Sequence, residues 1–140
     1  MIVYAESSAV LSWLLGEARE GEVRHAMAGA ERVVASSLTA LECARALARG
    51  VTTGRVARTE QLAALQLLDM ASSTWAVLEM TGRVLDRARA KFPREPVRTL
   101  DALHLATALI FHEAHGALTM VSLDEQIRHN AERLGLAVMP

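Results

Sequence analysis

MIVYAESSAVL, residues 1–11, is the stretch that decides the fold. Residues 2–4 are β-branched or aromatic and favour a short strand. Because this run is apolar on both faces, it is typical of a strand buried inside a parallel sheet. The strand ends at the carboxylate of Glu6, and the pair Ser7–Ser8 is predicted to cap a helix that begins near Ala9. The chain thus delivers an acid to the carboxyl edge of a sheet, where open α/β folds bind their ligands.

The composition is that of one α/β domain spanning residues 1–140. A chain of 140 residues with 51% apolar residues is long enough to bury a core of its own. No apolar run reaches the roughly 18 residues of a membrane span, and strand-like sequence from residue 2 leaves no room for a secretory signal. The single cysteine, Cys43, excludes an internal disulfide framework and fits a reducing compartment. We therefore expect a cytoplasmic protein with no membrane segment.

Strand-like and helix-like segments alternate along the whole chain. This alternation predicts a mostly parallel sheet of four or five short strands, covered by helices on both faces. Further strands are predicted at 33–35, 72–78, 118–121 and 136–139, and helices at 9–15, 17–28, 36–50, 55–70, 81–91, 99–114 and 124–134.

Four carboxylates occupy comparable positions relative to the predicted strands. Glu6 ends the first strand, Glu42 lies early in the helix after the second, and Asp124 follows the strand at 118–121. Right-handed crossovers bring all strand-to-helix turns of a parallel sheet to one edge, so these three acids are expected in one crevice. Asp101 lies in the first turn of an apolar helix and follows a loop rather than a strand, so this argument does not place it in the same crevice.

Each acid also has a purely structural interpretation. The segments Ser122–Glu125 and Thr39–Glu42 both have the form of a capping box, and Asp101 suits the first turn of a helix. Glu6 and Asp101 are harder to explain in this way, because an acid in apolar surroundings must be paired or bound.

The order of these motifs resembles the PIN-domain family, and most of all the VapC-type toxins of prokaryotic toxin–antitoxin pairs. The matching segments are Glu6–Ala9, Ser37–Glu42, Thr99–Ala108 and Ser122–Asp124, which together span the chain. The resemblance implies a three-layer α/β/α domain and an endoribonuclease dependent on Mg²⁺ or Mn²⁺. It also implies that the acids of all four segments hold the metal, namely Glu6, Glu42, Asp101 and Asp124.

The resemblance further implies particular partners. The substrate would be RNA, with tRNA and rRNA as the first candidates. The protein would form a homodimer and bind a cognate antitoxin that inserts a segment, often with a basic side chain, into the acidic crevice.

Glu6 departs from the family pattern, which usually has Asp at this position. Mg²⁺ requires near-octahedral oxygen ligands at about 2.0–2.1 Å, so we expect the longer side chain to shift the metal, to favour the more tolerant Mn²⁺ or to weaken metal binding. The alternative is a catalytically weak or inactive PIN-like domain that acts by binding RNA or the antitoxin. A nucleotide-binding domain is disfavoured, because neither Gly-x-Gly-x-x-Gly nor a P-loop occurs in the chain.

In the favoured hypothesis water attacks the phosphodiester directly, without a nucleophilic side chain. Carboxylate oxygens select hard divalent cations rather than zinc. Glu6, Asp101 and Asp124 are predicted as ligands, and Glu42 as a ligand or as the base that accepts the proton of the water.

Other polar side chains near these acids are weaker candidates for a role in the site. Arg45 and Arg49 follow Glu42 on roughly the same helix face and are candidates for binding phosphates, with covering the core or facing the antitoxin as the alternatives. Ser8 is a candidate for contacting substrate or orienting a carboxylate. His104, on an apolar helix, is interpreted as a packed and hydrogen-bonded residue.

Overall fold

The computed structural model describes all 140 residues, which form five strands and seven helices in the expected alternation. The strands are β1 Ile2–Ala5, β2 Arg32–Ser36, β3 Ala76–Leu78, β4 Thr119–Val121 and β5 Ala137–Met139. The helices are α1 Ser7–Leu15, α2 Glu20–Ala28, α3 Ser37–Thr52, α4 Arg58–Ser72, α5 Gly82–Arg89, α6 Thr99–His115 and α7 Glu125–Arg133. The α/β class is confirmed, and all the predicted strands are present.

The strands form one sheet in the order β3-β2-β1-β4-β5, and every pairing is parallel. The strand that opens the chain is therefore its centre, with Val3 opposite Val33 on one side and Thr119 on the other. A central parallel strand has apolar neighbours on both faces, which explains why β1 does not alternate between polar and apolar residues.

Helices cover both faces of the sheet. Side chains alternate along β1, so Tyr4 packs with Leu105 of α6 in a core formed with α5 and α7. Ala5 packs on the opposite face with Val10 of α1 and Leu47 of α3. The result is the three-layer α/β/α arrangement that the resemblance implied.

The helix starts differ from the sequence expectations. Helix α1 begins at Ser7 rather than near Ala9, and its N-cap is Glu6, whose side chain accepts a hydrogen bond from the Ser8 N–H. The Glu6 carboxylate satisfies a free amide of the first turn, so the helix starts two residues earlier than expected. Helix α2 starts at Glu20 rather than 17, after Arg19 adopts a left-handed conformation with φ of 67°.

The two predicted capping boxes do not form. Helix α3 is capped by Ser36, and the Thr39 hydroxyl donates instead to the Ala5 carbonyl at 3.2 Å. Helix α7 is capped by Asp124 rather than Ser122. None of the helices combines the length and hydrophobicity that crossing a membrane would require.

Candidate active site

The chain changes direction across the sheet between β1 and β4. It proceeds from β1 outward to β2 and β3, and then returns to place β4 on the other side of β1. Glu6 and Asp124 follow these two adjacent strands, and the Glu6 N–H donates to the Val121 carbonyl at 3.1 Å. Ligand sites in open parallel sheets lie at the carboxyl ends of the strands at such a reversal.

A cleft of about 470 Å³ opens at this point. All the residues that the sequence singled out for metal or substrate lie in its wall: Glu6, Ser8, Glu42, Arg45, Arg49, Asp101 and Asp124. Asp101, whose position the strand-to-helix argument left open, therefore shares the cleft with the other three acids.

Asp101 enters the cleft because the loop before α6 is tied to α7. The Arg94 N–H donates to Asn130 Oδ1 at 2.8 Å, and Asn130 Nδ2 donates back to the Arg94 carbonyl at 3.1 Å. Gln126 Nε2 donates to the Pro96 carbonyl at 2.6 Å. These side-chain bonds to the backbone fix where α6 begins, and with it the position of its first-turn acid.

Glu6 is almost fully buried, with 4% of its surface exposed. Its Oε1 accepts from the Ser8 N–H at 3.1 Å, and its Oε2 accepts from the Ser122 hydroxyl at 2.7 Å and from the Ser8 hydroxyl. A buried carboxylate is costly unless it is hydrogen-bonded, and these donors supply that compensation.

Glu42 is bound through one oxygen only. Its Oε1 accepts from the Ser7 hydroxyl at 2.9 Å and contacts His104 Nε2, whereas Oε2 has no hydrogen-bond partner in the protein. Burial acts to raise the pKa of Glu42, but the hydrogen bond and charge of His104 and the bond from Ser7 outweigh it, so the pKa is lowered. The carboxylate is thus held in its ionised form.

His104 is fully buried and bonded at both ring nitrogens. Its Nδ1 lies 2.8 Å from the Tyr4 hydroxyl, and its Nε2 contacts Glu42 and lies 3.3 Å from the Ser7 hydroxyl. Sequence reasoning identified a hydrogen-bonded histidine but missed Tyr4 and the link to Glu42. The available signal was that a histidine in an apolar helix needs polar partners, and that Tyr4 has the one polar side chain in the strand predicted at residues 2–4.

Asp101 and Asp124 have different environments. Asp124 Oδ1 accepts from the Ile127 N–H at 2.9 Å as the cap of α7. Asp101 is partly buried, with Arg98 Nε 3.7 Å from its Oδ2. Burial and then the charges of Asp124 and Glu6 raise the pKa of Asp101, with Arg98 opposing them in part. A cation in the cleft would relieve this repulsion.

The donor chemistry fits a hard divalent cation, because all four acids offer carboxylate oxygens. In this structure, however, no three carboxylate, imidazole or thiol groups are gathered into a metal-binding cluster. The hydrogen bonds of Glu6 and Glu42 direct these two side chains to serine and histidine partners. A carboxylate has about four lone-pair sites, so both acids retain acceptor capacity for a cation.

The candidate substrate-binding residues differ in availability. Arg45 and Arg49 are exposed and form no salt bridge, so their guanidinium groups are free for an anion. The Ser8 hydroxyl is already engaged, since it bonds to Glu6 and accepts from the Leu123 N–H at 2.9 Å. Its contacts are those of a residue that orients Glu6.

Known proteins resemble this chain in sequence and in fold. A family model described as PIN domain matches residues 3–133. Ribonuclease VapC46 of Mycobacterium tuberculosis (strain ATCC 25618 / H37Rv) is 34% identical over 137 residues, which cover 98% of this chain and 95% of that protein.

Solved structures show the same fold. The crystal structure of Mycobacterium tuberculosis VapC20, described as a sarcin-ricin loop cleaving toxin, aligns over 100% of both chains with a TM-score of 0.67 and 19% identity. The crystal structure of PAE2754 from Pyrobaculum aerophilum aligns over 98% of this chain and 82% of that one, with a TM-score of 0.60 and 20% identity.

Proposed function

This chain belongs to the PIN-domain family, and on that premise we propose that it is an endoribonuclease dependent on Mg²⁺ or Mn²⁺, acting as the toxin of a type II toxin–antitoxin pair. Its likeness to a VapC ribonuclease over nearly its whole length supports the toxin assignment. The reaction is hydrolysis of an RNA phosphodiester bond by water.

The observation that carries this proposal is that four acids from separate segments line one cleft at the carboxyl ends of β1 and β4. Two of the acids, Glu6 and Glu42, are held by serine hydroxyls and the His104 ring rather than by arginine or lysine. Buried carboxylates are normally paired with charged side chains or coordinate metals, so acids that no arginine or lysine neutralises are suited to an exogenous cation.

The four acids have distinct roles in the proposed reaction. Glu6, Asp101 and Asp124 hold the cation, which when bound makes water more acidic and stabilises charge on the phosphate. Glu42, ionised and with Oε2 free, completes the ligand set or accepts the proton of the attacking water. Ser8 and Ser122 keep Glu6 in place.

Exposed arginines support RNA as the substrate. Arg45 and Arg49 line the acid cleft, and Arg49 continues into an adjoining groove of about 310 Å³ that also contains Arg55. None of these arginines is paired with an acid. An RNA strand whose scissile phosphate lies at the acids would bring its neighbouring phosphates to this row of cations.

The proposal includes a cytoplasmic location, a homodimer and an antitoxin that covers the cleft. Leu41 and Leu100 support the antitoxin, because both line the cleft and are 57% and 46% exposed. Exposed leucines beside an acidic cleft suit a partner segment with apolar anchors and a basic side chain. Co-purification with the product of the neighbouring reading frame tests this partner.

The central experiment is cleavage of tRNA and rRNA by the purified protein in Mg²⁺ or Mn²⁺, compared with Asp101→Asn and with added EDTA. Asp86→Asn is the matched control, because Asp86 is exposed on α5 and lies outside the cleft. We expect cleavage by the wild type and Asp86→Asn only. Equal cleavage by Asp101→Asn would remove this assignment of the site.

One observation favours the alternative of a catalytically weak domain that acts by binding. Both oxygens of Glu6 are already bonded to Ser8 and Ser122, and no ready-made metal cluster is present. A calorimetric titration with Mn²⁺ separates the two functions: no binding at millimolar concentration, together with retained RNA binding, would favour the alternative.

A further inference from the structure

We propose that His104 is a positioning residue that holds the Glu42 carboxylate in place. We further propose that Tyr4 fixes the orientation and the tautomer of the His104 ring. This inference rests on the proposed function, because it assigns the group that holds one acid of the cleft. His104 does not line the cleft; it lies behind Glu42, in the core between the sheet and α6.

The contacts form a continuous series of hydrogen bonds from the core to the cleft. The Tyr4 hydroxyl lies 2.8 Å from His104 Nδ1, and His104 Nε2 contacts Glu42 Oε1. The aromatic rings of Tyr4 and His104 meet edge to face at 79°, with their centroids 5.9 Å apart. Tyr4 and His104 are both fully buried, so water does not compete for these bonds.

The available protons determine which atom donates in each of these hydrogen bonds. Tyr4 can donate its hydroxyl proton to Nδ1, which leaves Nε2–H to donate to Glu42. The opposite tautomer would place the Nε2 lone pair against a carboxylate oxygen, which is repulsive. In the doubly protonated ring Nε2–H also points at Glu42, so the donation does not depend on the charge of the imidazole.

Only one of the two Glu42 oxygens is used. The bonds from His104 and Ser7 both reach Oε1, so the plane and rotamer of the carboxylate are fixed while Oε2 stays without a protein partner in the cleft. A long side chain that is tethered at one oxygen presents the other at a defined position, which a ligand or a general base requires.

A packing role alone makes a different prediction. If His104 only filled the core, His104→Leu could lower stability by leaving the Tyr4 hydroxyl without its partner, but the folded variant would cleave RNA like the wild type. If it positions Glu42, leucine removes the donor whereas glutamine can still present an N–H near the position of Nε2. The two interpretations therefore differ in whether His104→Leu and His104→Gln cleave RNA at the same rate.

The first test measures RNA cleavage by His104→Leu, His104→Gln, Glu42→Gln and the double variant His104→Leu/Glu42→Gln. We expect His104→Leu to lower kcat by about 10- to 100-fold with little change in KM, and His104→Gln to recover most of the loss. His104→Leu should add nothing once Glu42 is changed. The control is His115→Gln, on the exposed end of the same helix, which should cleave like the wild type.

The second test is independent of activity. Long-range ¹H–¹⁵N spectra of the metal-free protein should show His104 protonated at Nε2, with a resonance that shifts in Glu42→Gln and not in Glu132→Gln, an exposed control. Tyr4→Phe should lower the fraction of the Nε2–H tautomer. Thermal unfolding of each variant checks folding, and if His104→Leu does not fold, His104→Gln and Tyr4→Phe decide the kinetic test.

An unprotonated Nε2, a folded His104→Leu that cleaves like the wild type, or additive effects in the double variant would each overturn the positioning role. If the wild-type protein cleaves no RNA, the proposed function fails instead. The spectra would then still support the positioning role, if Nε2 is protonated and responds to Glu42, or overturn it.

Discussion

Asp101 and Asp124 lie in one cleft, and the charge of Asp124 is second only to burial in raising the pKa of Asp101. An acid whose pKa is raised by folding favours the folded state only while it is protonated. That contribution is full below its ordinary pKa of 3.8 and is lost as the pH rises through the raised value. At neutral pH, ionised Asp101 therefore lowers the stability of the metal-free protein.

Asp101→Asn should consequently raise the thermal midpoint of the metal-free protein at neutral pH while it abolishes RNA cleavage. The gain should shrink as the pH falls toward the ordinary pKa of the carboxyl group. Unfolding followed by circular dichroism from pH 3.5 to pH 7.5 in EDTA measures this effect, with Asp86→Asn as the control. A lower midpoint for Asp101→Asn at neutral pH would contradict the assigned repulsion.

Glu6→Asp should retain or increase cleavage. Asp is a good N-cap residue, so the shorter acid can still accept from the Ser8 N–H, and it matches the residue usual in the family. Initial rates in Mg²⁺ and in Mn²⁺ provide the measurement, with Glu6→Ala as the inactive reference. Complete loss in a folded Glu6→Asp protein would show that the site is built around the longer side chain.

Ser122→Ala should disturb two acids at once. The Ser122 hydroxyl donates to Glu6 Oε2 at 2.7 Å and accepts from the Asp124 N–H at 3.1 Å. Leaving a buried carboxylate and an amide without this partner should cost about 1–3 kcal/mol of unfolding free energy. Urea denaturation and RNA cleavage are the measurements; unchanged stability and unchanged activity would exclude this role.

Arg49→Gln should weaken RNA binding and its dependence on salt. Each phosphate contact to single-stranded RNA contributes a slope of about −0.7 to log K against log salt, so the slope should become shallower by about that amount. Fluorescence anisotropy with RNA in EDTA separates binding from cleavage. Arg133→Gln, exposed at the end of α7, is the matched control and should leave the slope unchanged.

Cys43 should resist thiol reagents in the folded protein. Burial, followed by the charges of Glu6 and Glu42, raises the pKa of its thiol to about 12, so almost none is ionised at pH 8. Reaction with a colorimetric disulfide reagent should become fast only in denaturant. Rapid labelling of the native protein would indicate that the α1–α3 side of the core opens readily.

The sequence by itself determined the architecture. Alternating apolar strands and helices predict a parallel sheet covered on both faces, because a strand without a polar face must be buried on both sides. Even the short runs at 76–78 and 137–139 form strands, since they pair with a sheet that longer apolar segments had already specified. The four acids were visible in the same way, because each interrupts or ends an apolar segment.

The tertiary structure alone decided how those acids are held. Asp101 joins the cleft because the side chains of Asn130 and Gln126 hydrogen-bond to the backbone of the loop before α6. Asn130 and Gln126 lie on another helix and have no sequence signature. The link from Tyr4 through His104 to Glu42 joins a strand and two helices that are distant in the chain. Helical and strand periods report which face a side chain occupies, but hydrogen bonds between elements depend on how those faces dock in three dimensions.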